Sequence, residues 1–519
     1  MLFNSYEFIF LFLPCAALGY FVCARYFSLE SALGFLVLAS LFFYGYWNPR
    51  YLLLIFFSIG FNFAVGRLLS GAGRHSKRAL LIFGVAVNLG LLGYYKYANF
   101  FVDNLNNILG SNWNLGHIFL PLAISFFTFQ QISYLVDARQ GKTSEYNFLH
   151  YCLFVCFFPQ LIAGPIVHHR EIIPQFMRTE NLSPKWSNIA IGVSIFAIGL
   201  FKKTVIADSL SAYVTPVYDA DLAAINLDFF LAWGSTLAYT FQLYFDFSGY
   251  SDMAIGCARI FGIVLPVNFF SPYKSTSIIE FWRRWHITLS RFLRDYLYIA
   301  LGGNQKGNVR RYVNLFLTML LGGLWHGAGW TFVVWGGLHG SYLMVNHAWA
   351  KLLQLTGRDP GGLYSYRLFC WFLTFVAVVF SWAYFRAPTL DHANQVALAM
   401  LGMSGFELPA GLLARLGAAG EWLATIGVTS GFGGGAMLVT NYIWVFCATV
   451  FALFLPNVAQ LFNDYDAVLY ENDRAFRQVR ASGGVSWGYN TRWAAAVSVA
   501  FVLGLMTLSQ VSEFLYFQF

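Results

Sequence analysis

Charge is scarce in this chain. Asp, Glu, Lys and Arg make up 11% of its 519 residues, while 58% are hydrophobic and 19% aromatic. So little charge over such a length excludes a string of ordinary soluble domains and leaves an integral membrane protein. Paired cysteines are missing too. The seven present (Cys15, Cys23, Cys152, Cys156, Cys257, Cys370 and Cys447) lie in or beside apolar runs with no CxxC, which excludes a disulfide framework or thiolate zinc site and leaves packing residues. No HExxH occurs. His168 and His169 are adjacent, so on a helix they diverge, and His326 and His339 lack ligand spacing; nothing in the sequence asks for a metal. The adjacent pair is expected in a polar loop at the membrane edge. Residues 1–23 lack a basic n-region and a cleavage motif, so they are expected as a retained first helix. No internal repeat is found.

What is present is a succession of apolar runs. A membrane-spanning helix needs roughly 20 mostly apolar residues. By that rule the candidates are 6–24, 29–46, 51–69, 79–97, 117–136, 146–164, 187–207, 226–246, 329–349, 367–386, 439–457 and 493–511. Between 247 and 325 the runs shorten and alternate with charge and glycine, as in 292–301 and 312–325. Pieces too short to span are tolerated at membrane depth only when buried in protein or lining a watery cavity. The expected fold is therefore all-α and polytopic, with 11–12 membrane helices plus short re-entrant helices in a single domain over 1–519. Extramembrane inserts are expected at 387–437, with an amphipathic helix over 390–403, and at 458–492. The net charge of +8 is read as cytoplasmic anchors facing anionic lipid, with no nucleic-acid partner. Arg67, Arg74, Lys77 and Arg78 mark their connection as cytoplasmic, and three preceding spans place the N-terminus outside.

Two motifs mislead. Residues 431–436 fit the dinucleotide-binding glycine pattern, but the preceding buried strand and βαβ unit that it requires are not expected. Residues 484–488 fit the G-x-S-x-G elbow but lie in a polar connector, where a loop is expected.

The chemistry concentrates in 241–330. Gln242, Tyr244, Asp246, Ser248, Tyr250, Ser251 and Asp252 crowd one apolar stretch, and 281–298 adds Arg283, Arg284, His286, Arg291, Arg294 and Asp295. "LLGGLWHGAGW" at 320–330 supplies His326. Ionisable groups at membrane depth are costly and need partners or water, so a hydrated cavity or tunnel is implied. An imidazole accepts a proton near neutral pH with little tuning, as attack of a hydroxyl on a thioester requires. Trp325 can bound such a pocket, and Gly322, Gly323 and Gly327 let a substrate approach the backbone. Arg283, Arg284, Arg291 and Arg294 can bind phosphates of a donor such as coenzyme A; anchoring at a cytoplasmic face is an equal reading for each.

Several blocks carry a family resemblance: "GYYKYANFF" (93–101), "ISFFTFQQISYLVD" (124–137), "FFPQLIAGPI" (157–166), "FKKTVIAD" (201–208), "QLYFDFSGYSDMAIG" (242–256), "FWRRWHITLSRFLRDYLYIALGGN" (281–304), "NLFLTMLLGGLWHGAGWTFVVWGGLHG" (314–340), "FRA" (385–387) and "FLYFQF" (514–519). The chain resembles the membrane-bound O-acyltransferase (MBOAT) family, in the bacterial polysaccharide O-acetylation branch that contains the alginate O-acetylation membrane protein. The resemblance implies helices around a central tunnel, with 242–340 as catalytic core. It also implies an inner-membrane acetyltransferase that takes acetyl from a cytoplasmic donor, acetyl-CoA, with no bound cofactor. Its partners would be a periplasmic acyltransferase and a polysaccharide synthesis complex. By the same resemblance His326 is the essential histidine, acting as general base or orienting the acceptor hydroxyl, and His286 is a second polar site. Trp325, Asp246, Tyr250, Ser251, Asp252 and Trp282 are then expected along the substrate path, or as structural polar pairs. One departure weakens alginate as the polymer: residues 129–134 read "FQQISY" where an acidic residue is expected. Cellulose, another exopolysaccharide or peptidoglycan stay open; teichoic-acid D-alanylation is disfavoured. A transporter with the polar centre as translocation path, and a scaffold with a degenerate site, are the readings from other classes.

Overall fold

The computed structural model describes residues 1–71, 73–143, 147–222, 225–357, 360–431, 435–470, 484–509 and 515. It is mostly helical. Among the described residues, six helices are long and apolar enough to cross a membrane: Glu7–Tyr26, Tyr51–Gly71, His75–Leu109, Trp186–Tyr218, Tyr364–Arg386 and Gly435–Phe454. Leu29–Gly45 and Thr491–Met506 are shorter apolar helices. Three further long helices, Phe229–Ile260, Gly307–His326 and Trp330–Leu355, carry the polar residues of the centre.

Glycine sets the closest packing. Gly192 and Gly199 of one helix face Gly256 and Gly249 of the helix Phe229–Ile260. A Cβ on Gly192 would meet the Gly256 carbonyl oxygen at 2.6 Å, and one on Gly249 would meet the Gly199 oxygen at 2.7 Å. With lipid outside as apolar as the core inside, such backbone approach is what holds membrane helices together. The hairpin formed by Gly307–His326 and Trp330–Leu355 repeats the device, since a Cβ on Gly336 would meet the Met319 oxygen at 2.5 Å.

Four expectations are corrected. The run 146–164 is no single span: helix Phe148–Cys156 ends, Phe157 leaves helical geometry (φ −50°, ψ 113°), and a one-turn helix Phe158–Leu161 restarts with Pro159 in its first turn. Proline lacks the N–H needed to continue a helix but is tolerated at a start. The change at 247 is not a break, because Phe229–Ile260 runs on through Asp246, Ser251 and Asp252. Polar side chains lowered the hydropathy there without interrupting the backbone. Residues 312–325 likewise belong to a 20-residue helix whose first turns carry Arg310, Arg311 and Asn314. In the insert 387–437, helix Leu390–Met400 is followed by two four-residue parallel strands, Phe406–Pro409 and Val428–Gly431, with Phe406 opposite Val428 and two short helices between them. A strand thus precedes the glycine run, although only Leu408 and Val428 of the pair are buried, and residues 432–434 lie outside the described residues. Residues 484–488 are irregular.

Candidate active site

His326 is the last residue of the helix Gly307–His326 and is 5% exposed. Aromatic rings enclose it, with centroids at 4.9 Å for Trp325, 5.2 Å for Trp335 and 5.2 Å for Phe385. Its Nδ1 is buried with no hydrogen-bond partner among the described residues, and the same holds for the indole nitrogens of Trp325 and Trp335. An unpaired buried polar atom costs about 1–3 kcal/mol, so native structures hold few of them and functional sites account for many. The imidazole's own Nδ1 and the indole nitrogens of the two tryptophans beside it are thus open to a polar group.

His286 also lies against Trp325, with a centroid separation of 6.3 Å. It occupies the break between two short helices, Ile278–Arg284 and Ile287–Phe292, in left-handed backbone geometry (φ 42°, ψ 55°). A non-glycine residue there is strained and needs its surroundings to hold it. Asn268 does so. Its Oδ1 lies 3.1 Å from His286 Nδ1 and accepts from Thr288 Oγ1 at 3.0 Å, its Nδ2 donates to Ser251 Oγ at 3.2 Å, and its carbonyl accepts from Ile287 N at 2.9 Å. Ser251 therefore meets the site through Asn268.

A cavity of about 470 Å³ opens beside these helices, lined by Trp282, Arg283, Arg291, Arg294, Arg311 and His347 together with apolar residues. Arg283 is exposed, Arg291 holds Glu171 in a bidentate ion pair (2.6 and 3.0 Å), Arg294 pairs with Asp295 at 2.7 Å, and Arg311 donates to His347 Nδ1 at 2.9 Å. Arg284 is not among the lining residues; it pairs with Glu280 at 2.7 Å and donates to the Phe270 carbonyl. From the histidine helix, Arg311, Leu315, Thr318 and Met319 line the cavity. Their spacing of 4, 7 and 8 defines one helical stripe, which continues to Gly322 and His326. At 1.5 Å per residue His326 lies roughly 10 Å beyond Met319 along that stripe.

The cavity shares an end of the bundle with the basic connection 67–78. Tyr134 packs on Gly66, and Asp137, one turn later, pairs with His169 at 3.1 Å and accepts from Tyr296 at 3.3 Å. His169 is fully buried, so the expected surface loop is instead an interior polar contact, which Asp137 makes affordable. His326 lies toward the opposite end, where Phe385 adjoins Arg386, ion-paired with Asp219 at 2.6 Å.

The remaining expected path residues fall elsewhere. Asp246 is 1% exposed and pairs with Lys203 (2.6 Å), which also pairs with Asp208 (2.7 Å); Asp252 pairs with Lys202 (2.6 Å). Tyr250 is buried and stacks on Phe3 at 4.6 Å. None of the three lines the cavity. Sequence reading missed Asn268, Arg311, His347 and Lys96. Lys96 had a visible signal: it is the sole charged residue between Arg78 and Asp103.

The description "MBOAT, membrane-bound O-acyltransferase family" matches residues 137–385. The chain is 47% identical over 436 residues to the peptidoglycan O-acetyltransferase of Helicobacter pylori, covering 79% of this chain and 81% of that protein. It is 43% identical over 416 residues to the Pseudomonas aeruginosa protein named "Probable alginate O-acetylase AlgI", covering 79% and 76%. A teichoic acid D-alanyltransferase of Streptococcus thermophilus is 28% identical over 250 residues, 46% of this chain and 59% of that one. The chain belongs to the membrane-bound O-acyltransferase family and is a polytopic membrane acyltransferase.

Proposed function

We propose that this protein takes acetyl from acetyl-CoA at the cytoplasmic face of a bacterial inner membrane. It passes the group, past His326, to a hydroxyl serving O-acetylation of a cell-envelope glycan, through a periplasmic acyltransferase partner. The observation that carries the reading is the helical stripe joining a cavity with four arginines to a buried imidazole with an uncommitted nitrogen. The positive-inside rule assigns the cavity's end of the bundle to the cytoplasm. Guanidinium groups suit phosphate oxygens, and Arg283, with no carboxylate partner among the described residues, is the readiest of them. At His326 the imidazole takes the acceptor's proton as the hydroxyl oxygen bonds to the acetyl carbon. The carbon–sulfur bond breaks, and the proton then passes to the departing thiolate.

An acceptor hydroxyl on an envelope glycan is supported by similarity to relatives named for peptidoglycan and alginate O-acetylation over similar lengths, at 47% and 43% identity. The test supplies acetyl-labelled acetyl-CoA to membranes containing the protein. Label should reach the glycan fraction, and replacing Arg283 and Arg311 by Ala should raise the acetyl-CoA concentration needed for half-maximal transfer about 10-fold or more, the scale of a lost charge-assisted hydrogen bond. An unchanged concentration dependence, or no transfer of label by the wild-type protein, overturns the reading.

A further inference from the structure

The helix Gly307–His326 ends without a cap of its own. Gly327 is extended (φ −158°, ψ 148°), so no left-handed residue turns the chain to cover the last carbonyls. Four carbonyls are orphaned at any helix C-terminus, and in a membrane protein they must find partners inside the protein. Here the partners come from one distant turn. Lys96 Nζ donates to the Trp325 carbonyl at 2.5 Å and to the His326 carbonyl at 3.1 Å, and Tyr97 Oη donates to the Leu324 carbonyl at 2.8 Å. The Lys96 ammonium also lies 5.6 Å from the Trp325 ring centroid. Lys96 and Tyr97 close the π-helical turn Gly93–Tyr97, a departure from α-helical geometry that recurs at functional sites. Two turns on in the same element, Asn104 accepts from Trp330 Nε1 at 2.8 Å. One membrane helix thus grips both sides of the Gly327-Ala328-Gly329 link.

We propose that Lys96 is a positioning residue for His326, with Tyr97 as its second contact: together they lock the three terminal carbonyls and thereby fix where the imidazole stands against the acyl group. No other side chain in the described structure bonds these three carbonyls. The inference rests on the reading of His326 as proton acceptor, and its test separates the two.

Lys96→Met keeps the apolar stem and removes the charge and both donors; Lys96→Arg restores them. With the full-length protein in its native membrane and acetyl-CoA as donor, Lys96→Met should lower the saturating rate of acetyl transfer about 10- to 100-fold, the cost of a misplaced reacting group, at an unchanged KM for acetyl-CoA. Lys96→Arg should recover most of that loss. Tyr97→Phe, which deletes one hydroxyl, should lower the saturating rate about 3- to 10-fold at full protein abundance, and it decides the matter if Lys96→Met fails to accumulate. Wild-type rates per folded molecule in Lys96→Met or Tyr97→Phe overturn the inference, as does a fall in which KM rises in step with the lost rate. His326→Ala is run alongside. If it is inactive while Lys96→Met matches wild type, only the role of Lys96 fails; if it is fully active, the proton-acceptor reading fails with it.

Discussion

His326 and His339 occupy the two arms of one helical hairpin, both pack on Trp335, and both are buried, yet their nitrogens are treated in opposite ways. At His339, Trp282 Nε1 donates to Nδ1 at 3.3 Å. A neutral ring then carries its proton on Nε2 and donates to Ser381 Oγ at 2.9 Å, and that hydroxyl donates in turn to the Val378 carbonyl at 2.7 Å. Every polar atom is used. At His326 the backbone is held by Lys96 while Nδ1 has no hydrogen-bond partner among the described residues. Burial alone therefore does not distinguish the two; the bonding of the ring does, and under the proposed function His326 is the one that reacts. His339 serves the wall between cavity and site, on the face that also carries Trp335 and Leu343.

Substitutions can break this contrast. His326→Ala should show the largest effect, a loss of about 10²- to 10⁴-fold in acetyl transfer, the contribution of a general base, with protein abundance in the membrane unchanged. Transfer assayed against immunoblotted protein checks it. His339→Ala should act on stability: it leaves the Trp282 indole and Ser381 hydroxyl without their partner and opens a void, costing about 1–3 kcal/mol, read as a lower unfolding midpoint in detergent with transfer per folded molecule close to wild type. Ser381→Ala removes one hydroxyl, with its bonds to His339 and to the Val378 carbonyl, and should cost about 0.5–1.5 kcal/mol by the same measurement, with no effect on transfer. A His339 variant that loses transfer while keeping its unfolding midpoint would erase the distinction.

Much of this was legible from residues. The composition and the apolar runs announced a membrane bundle, and the block 314–340 pointed to His326. The arginines of 281–294 announced the cavity, since Arg283, Arg291 and Arg294 do line it while Arg284 turns to Glu280. The rest was hidden for physical reasons. Asp246, Asp252, Lys202 and Lys203 satisfy one another across two helices, and a linear sequence does not show that pairing. Hydropathy registers such pairs as interruptions, which is why 247–260 read as a break. Asn268 sits in a loop of apolar residues (263–270 read "IVLPVNFF"), where a lone amide gives no sign that it holds His286, Thr288 and Ser251 together. Lys96 carries the sole charge between Arg78 and Asp103, but a linear sequence does not show that it meets the end of a helix more than two hundred residues away. The strand pair in the insert is four residues long on each side, too short for alternation to register.

The central claim is that His326, and not its buried neighbour in the hairpin, accepts the acceptor's proton. Its most direct test is ester-linked acetate on the envelope glycan of the native strain, measured at matched membrane abundance for His326→Ala and His339→Ala. Acetate should fall to background in the first and stay close to wild type in the second. Wild-type acetate in the His326→Ala strain would contradict it.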